Sequence, residues 1–394
     1  MTRKTPGLLL LAAVLLLPQA SFGSDDTDGR HGVRRVRCDR GETITQALRS
    51  ERSPLVIEFE GTCSEHVQIL RDDVTLRGVG SDPTLIGKVS VIGSDRVSLE
   101  TFTVENSFES GIDFIRSAGG AITGVVSQDN PRRCIYIEGA SVDITDTSTF
   151  RCQIGIFNRS GHVNFIGTIT SNENSVAGIS ASTGGSFVIL NGNIVTNNNF
   201  LGYVNQLSAE TTFANGSLTA NNNTSHGISL TSQGVLVHGT INVTSTGNGG
   251  FGLFVVEGST WSSFINFGST TTLTGNAAGG ALIAQRSTIV LDGAATVTGN
   301  GGFGLLVDES SLNLATTTIN SNPAGSILLN FTSTATYGSG AAANTVTPPV
   351  ICDSSSRARG PVACNVIFGP TAAAAQPPVA VEEILRRHAV PAMD

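Results

Sequence analysis

A glycine followed by a short apolar run recurs along this chain at near-constant spacing, and that repeat limits the fold more than any other feature. It reads Gly111-Ile-Asp-Phe-Ile, Gly155-Ile-Phe, Gly178-Ile-Ser, Gly202-Tyr-Val, Gly227-Ile-Ser-Leu, Gly252-Leu-Phe-Val, Gly280-Ala-Leu-Ile, Gly304-Leu-Leu-Val and Gly325-Ser-Ile-Leu. Cys134-Ile-Tyr-Ile fills the gap in the series, and successive members lie 21–28 residues apart. Asparagine keeps the same phase: Asn172 and Asn174, Asn197 to Asn199, Asn221 to Asn223, Asn248, Asn276, Asn300, then Asn320 and Asn322. Between these marks lie short alternating Val/Ile/Thr/Phe segments such as Phe187-Val-Ile-Leu and Ser287-Thr-Ile-Val-Leu, which read as strands separated by polar and glycine turns.

A period near 24 residues with several strands per repeat predicts an all-β parallel solenoid of about 12 coils. One coil cannot bury its inner face alone, so coils stack at the strand spacing of about 4.8 Å. Side-chain amides at one turn position then align up the stack and hydrogen-bond to one another, which is why asparagine would recur in phase. A leucine-rich horseshoe shares the period but needs a Leu-x-x-Leu-x-Leu frame that is missing here, and a propeller needs roughly 40 residues per repeat.

Composition sets the compartment. Residues 1–23 read as a signal peptide: Arg3 and Lys4 are followed by an apolar run from Leu8 to Leu17 and by Ser21-Phe22-Gly23 at the cleavage position. That run is too short for a membrane span, and no later one is longer. Removing it takes the net charge from −8 to −10, since two basic residues leave and no acid does. An acidic surface argues against a nucleic-acid partner. The six cysteines fall after the signal, where an oxidising compartment favours pairing. Chain order suggests Cys38–Cys63, Cys134–Cys152 and Cys352–Cys364, although six cysteines permit 15 connectivities. The expected location is secreted, extracellular or periplasmic, with the chain a monomer.

The glycine-apolar strands, turn asparagines and period resemble the right-handed parallel β-helix of the pectate-lyase-like superfamily. Gly41-Glu-Thr-Ile-Thr-Gln-Ala-Leu48 is similar to the short N-terminal capping helix of those proteins, and Val74-Thr-Leu-Arg-Gly-Val-Gly80 to their first coils. The resemblance implies a β-helix domain over 38–347, including a cap at 41–50. A disulfide-closed C-terminal cap over 348–369 and a flexible tail over 370–394 follow from the sequence. In that tail, Val381 to His388 has the pattern of a short amphipathic helix. The superfamily holds lyases, hydrolases, epimerases and non-catalytic spikes, so the resemblance leaves the activity open.

Alternation assigns the faces. After each glycine the second and fourth residues of the motif point inward and the third and fifth outward. The most polar outward patch spans three neighbouring coils: Asp113, Arg116, Tyr136, Glu138, Arg159 and His162, with Arg132 and Arg133 in the preceding turn. The resemblance implies a substrate groove along one such face. An arginine there would take a sugar carboxylate in bidentate fashion and Tyr136 would stack on a ring. Glu138, Arg159 and Asp113 are the catalytic candidates; Arg116, Tyr136 and His162 are the substrate-binding ones. The competing reading is a structural ladder in which Glu138 and Arg159 form a surface ion pair one coil apart. Glu257, Arg286 and Asp308-Glu309 make a second column read the same way.

The catalytic motifs of the uronate hydrolases are absent: there is no Asn-Thr-Asp and no Gly-His-Gly, and Asp72-Asp73 falls in an early coil. The alginate-epimerase Asp-Pro-His is absent too. The six histidines do not cluster at metal-ligand spacing; His226 and His238 read as turn or surface residues, and no metal site is expected. Ca²⁺ enters only under a lyase reading, with Asp129 and Asp143 as distant helpers to Asp113 and Glu138. The only tryptophan, Trp261, reads as core packing rather than as a sugar platform. The expectation is therefore a surface-interaction or glycan-binding module, with a lyase, epimerase or hydrolase of an acidic polysaccharide as the alternative.

Overall fold

Each repeat bends twice and so lays down three short strands, one in each of three parallel sheets. The computed structural model describes residues 32–263, 269–337, 345–347, 350–359, 364 and 366–368. The result is a right-handed parallel β-helix of about 13 turns. Right-handed coiling is what twisted parallel strands impose on their connections.

The glycine-anchored segments form one sheet, with strands such as Ile112–Ile115, Arg133–Glu138, Ile154–Arg159 and Ala177–Ser182 in register. Its inward pairs Ile112/Phe114, Ile135/Ile137, Ile179/Ala181, Ile228/Leu230, Leu253/Val255 and Leu305/Val307 are all fully buried. They stack rung on rung into a core that runs the length of the molecule. Each buried aliphatic side chain contributes about 1.5–3 kcal/mol before the entropy of ordering is counted.

Glycine and asparagine share a phase because they touch. The side chains of Asn174, Asn199, Asn223, Asn248, Asn276, Asn300 and Asn322 are buried in one turn and stack as a ladder. In it the Asn248 N–H and Nδ2 donate to Asn276 Oδ1 at 3.1 and 2.8 Å, and those of Asn276 donate to Asn300 Oδ1 at 3.0 and 2.9 Å. The residue before each later ladder asparagine is left-handed, with φ of 66°, 65° and 63° at Gly247, Gly275 and Gly299. That accounts for the Thr-Gly-Asn sequences, since glycine takes this conformation without strain. The anchoring glycine then lies against the amide of the next rung. A Cβ on Gly227 would sit 1.9 Å from Ser245 Oγ and 2.7 Å from Asn248 Nδ2. Gly227→Ala is expected to destabilise the protein by about 1–3 kcal/mol through overpacking. A denaturation midpoint equal to that of the parent chain would count against this account.

Both ends extend the solenoid beyond the repeat. Gly32–Arg37 pairs in parallel with Leu55–Glu60, so the first strand precedes the domain start expected at residue 38. The helix expected over 41–50 is a single α-turn, Ile44–Ala47. Thr43 caps it by accepting from the Gln46 N–H, and the Glu65 carboxylate accepts the Ile44 and Thr45 N–H groups. Its Ile44 is fully buried and closes the end of the core. At the other end, Val350–Asp353 and Val366–Phe368 add rungs to the glycine-anchored sheet, and Arg357–Arg359 adds one to its neighbour. The segment expected as a separate cap thus continues the coil, because Cys352 fills an inward position beside Leu329. Disulfides join Cys38 to Cys63, Cys134 to Cys152 and Cys352 to Cys364. Residues 1–23, read as a signal peptide, and the tail at 370–394 lie outside the described residues. Among the described residues no helix is long and apolar enough to cross a membrane.

Candidate functional site

The outward column of the glycine-anchored sheet changes character along its length. In register it runs Ser90, Asp113, Tyr136, Phe157, Ser180, Val204, Ser229, Phe254, Leu282, Leu306 and Leu328. The N-terminal end carries charge and the C-terminal end is aliphatic and aromatic.

At the charged end Lys88 Nζ lies 2.5 Å from Asp113 Oδ2 and 3.6 Å from Glu109 Oε2. The Lys88 and Asp113 side chains are only 10% and 7% exposed. Among the described residues Asp113 Oδ1 has no hydrogen-bond partner. Burial pushes the Asp113 carboxyl above its usual range, and Lys88 opposes that shift. One coil earlier, His66 Nε2 is 3.2 Å from Ser90 Oγ, and its ring meets Phe108 edge-on at 6.0 Å. Phe108 is 69% exposed, an unusual position for a phenylalanine.

The next rungs hold an aromatic pair under a cation. Tyr136 and Phe157 stack at 5.8 Å, and the Arg133 guanidinium lies 4.5 Å from the first ring and 4.9 Å from the second. Such contacts contribute about 0.5–2 kcal/mol according to burial. Burial raises the Tyr136 hydroxyl pKa and the Glu138 carboxylate raises it further, while Arg159 lowers it.

Several expectations need correction. Glu138 and Arg159 do occupy adjacent rungs of one column. Among the described residues they form no ion pair, however, and both interact with Tyr136 instead. Asp113 is outward but buried, because Lys88 closes over it. Arg116 sits exposed at the corner with φ 52°, and its N–H donates to the Glu138 carbonyl at 2.9 Å. His162 belongs to the neighbouring sheet, where Nδ1 lies 2.8 Å from Ser186 Oγ. Asp129 is engaged by Arg151 at 2.7 Å, which holds its carboxyl below the usual range, and Asp143 accepts from Asn164 Nδ2 at 2.7 Å. Asp73 is likewise engaged by Arg96 at 2.6 Å. In the second column, Glu257 accepts from Ser232 Oγ at 2.5 Å and the Arg286 N–H donates to the Glu309 carbonyl.

His226 and His238 are not surface residues. His226 is fully buried, stacks on Phe254 at 4.1 Å and accepts from the Phe251 N–H through Nδ1. His238 is buried against Trp261, itself fully buried in the core. Among the described residues no group of three or more His, Cys, Asp or Glu is placed to hold a metal ion.

Sequence reading passed over Lys88, Glu109, Phe108 and His66. Two signals were available. Lys88 is the only lysine beyond Lys4, and Phe108-Glu109 precedes Gly111 much as Arg132-Arg133 precedes Cys134.

No family model matches the chain, and no curated protein matches it. Among solved structures it is similar to the periplasmic alginate epimerase AlgG, at 11% identity and TM-score 0.40 over 85% of this chain and 84% of that one. It is similar to the Agl-KA catalytic domain at 10% identity and TM-score 0.43, over 80% of this chain and 63% of that one. It is also similar to the A-module of the Azotobacter vinelandii mannuronan C-5 epimerase AlgE4, at 16% identity and TM-score 0.35 over 80% of this chain and 87% of that one.

Proposed function

We propose that the protein is an exported, monomeric glycan-binding module whose ligand lies across the charged end of the glycine-anchored sheet. The observation that carries this reading is the Lys88–Asp113 pair. A β-helix face needs only an apolar or hydroxyl ladder to stack, and a buried ion pair adds little net stability. Asp113 Oδ1, buried beneath Lys88 and without a hydrogen-bond partner among the described residues, would accept from a ligand hydroxyl that displaces the Lys88 cover. Glu109 would accept from a second hydroxyl, the exposed Phe108 would take the apolar face of a sugar ring, and Arg159 and Arg116 would hold a carboxylate on an acidic unit. Export is supported by residues 1–23 and by the three disulfides.

A second reading, a polysaccharide lyase, epimerase or hydrolase, is favoured by one observation. Asp113 combines a carboxyl pKa raised by burial with a cation in contact, a perturbed pair of the kind that proton-transferring sites hold. Glu138 would then act from the rung of Tyr136 and Arg159 from the rung after it. Ca²⁺ belongs to the lyase form of that reading alone.

The test is titration of the chain lacking residues 1–23 with oligosaccharides of polygalacturonate, alginate, hyaluronan and xylan. Calorimetry reads binding and absorbance reads unsaturated product. Binding is expected to weaken about tenfold in Phe108→Ala and in Arg159→Ala, the size of one good contact. Turnover lost in Asp113→Asn would select the enzyme. No binding at millimolar sugar, or binding indifferent to both variants, would defeat the proposal.

A further inference from the structure

The sheet that leads into the asparagine ladder carries threonine on its outward side. Thr219, Thr244, Thr272, Thr296 and Thr318 form one column over successive rungs, each in register with the next. Two residues further along the strands, Thr246, Thr274 and Thr298 form a second column beside it. The residues between the columns, such as Leu273 and Val297, are fully buried, so both columns point away from the core. Unlike the outward side of the glycine-anchored sheet, this one is open: each of these threonines is half-buried or exposed. Among the described residues their hydroxyls make no hydrogen bond within the protein. The column on the other flank, from Thr168 to Thr316, holds only Thr, Asn, Ser and Ala, so no charged or aromatic side chain interrupts these columns.

Such a face has a fixed metric. Rungs lie about 4.8 Å apart and alternate residues of a strand about 6.6 Å apart. Branching at Cβ restricts χ1, so each threonine holds its hydroxyl and methyl in place. Strand propensity alone would admit Val, Ile, Tyr or Phe here and does not call for one side chain in every rung of a column.

We propose that this threonine face binds ice. Its two spacings lie close to the oxygen repeats on a prism face of ice. A rigid grid of hydroxyls and methyls holds water in an ice-like arrangement in advance, so little ordering remains to be done when the solid is reached. Each contact is weak, and the repeat multiplies them. A charged side chain would impose its own hydration shell on that order, and the columns have none. Other occupants lack what they need on this face. A sugar ring stacks on an aromatic platform, a protein partner uses large aromatic or arginine anchors, and a nucleic acid needs a basic surface. The inference is independent of the glycan reading, whose central pair lies on the glycine-anchored sheet.

The test is slow growth of polycrystalline ice in a solution of the intact chain, with microscopy of single ice crystals in the same solution. The chain is expected to enter the ice and to hold a crystal without growth over an interval below its melting point. Thr272→Lys/Thr296→Lys is expected to abolish both effects, with strand content and denaturation midpoint kept at those of the parent because both side chains face solvent. Thr212→Lys, outward on the neighbouring sheet, is expected to change neither effect. Exclusion of the parent chain from ice would overturn the inference, as would ice signals indifferent to the double substitution or lost equally in Thr212→Lys. A dimer in sedimentation that the double substitution dissolves would assign the face to a second copy and overturn it too.

Discussion

Asn248→Ala is expected to destabilise the protein by about 3–5 kcal/mol, two buried donors being orphaned at about 1–3 kcal/mol each and a small void added. The Asn248 Oδ1 accepts from the Asn223 N–H at 2.9 Å and from Asn223 Nδ2 at 3.0 Å. Its own Nδ2 donates to the Ala220 carbonyl, Ser245 Oγ and Asn276 Oδ1 at 3.0, 3.0 and 2.8 Å. Alanine removes all five contacts in the middle of a ladder that runs from Asn174 to Asn322, with the Asn223 side chain only 1% exposed to water. Asn248→Asp is no rescue, since it accepts from Asn223 but buries a charge and places an acceptor against Asn276 Oδ1. Asn193→Ala is the control. That residue is exposed and, among the described residues, accepts from Ser217 Oγ alone, so its loss should stay within about 0.5 kcal/mol. Guanidinium midpoints of the variants decide the matter: equal shifts for Asn248→Ala and Asn193→Ala would remove the ladder from the account of stability.

That ladder was legible in the sequence because one geometry repeats. The asparagine amide packs on the anchoring glycine of its neighbouring rung, so both residues had to recur at one spacing, and alternation then separated core from surface. Legibility failed where the geometry does not repeat. The coil that supplies Lys88 has no asparagine ladder in its turn; ion pairs such as Asp73–Arg96 and Arg77–Glu100 tie those early coils instead. A scan for the glycine–asparagine phase therefore starts at Gly111 and misses the neighbour that buries Asp113. The end strands Gly32–Arg37 and Val366–Phe368 escaped for a related reason, since an end coil stacks on one side only and its residues are freed from the repeat.

The outward face failed differently. Alternation tells which way Phe254 or Leu282 points and nothing about what else lies there, so outward was equated with exposed. Phe254, Leu282 and Leu306 in one outward column were themselves the warning. His226 shows the consequence: read as a turn or surface residue, it is buried in the stack on Phe254.

Lys88→Met is expected to lower stability at neutral pH by about 3–5 kcal/mol, because it strands a buried carboxylate. The deficit should depend on pH with a definite sign. Burial already raises the Asp113 carboxyl above its usual 3.8, and Lys88 is the chief group opposing the rise. Without Lys88 the folded pKa climbs further, so the folded state holds a proton that the unfolded state releases. The variant's deficit is then absent below the unfolded pKa and grows as pH rises through the folded one. Asp113→Asn in the same chain should recover part of it at pH ~7 by removing the stranded charge. Lys88→Met/Asp113→Leu should return to within about 1 kcal/mol of the parent, since apolar groups of similar volume often replace a buried pair without loss. The same double variant is expected to lose glycan binding. Stability restored with binding lost means that the fold does not need these charges and the ligand does. A double variant as unstable as Lys88→Met that still binds sugar would make the pair structural and move the site elsewhere on the sheet.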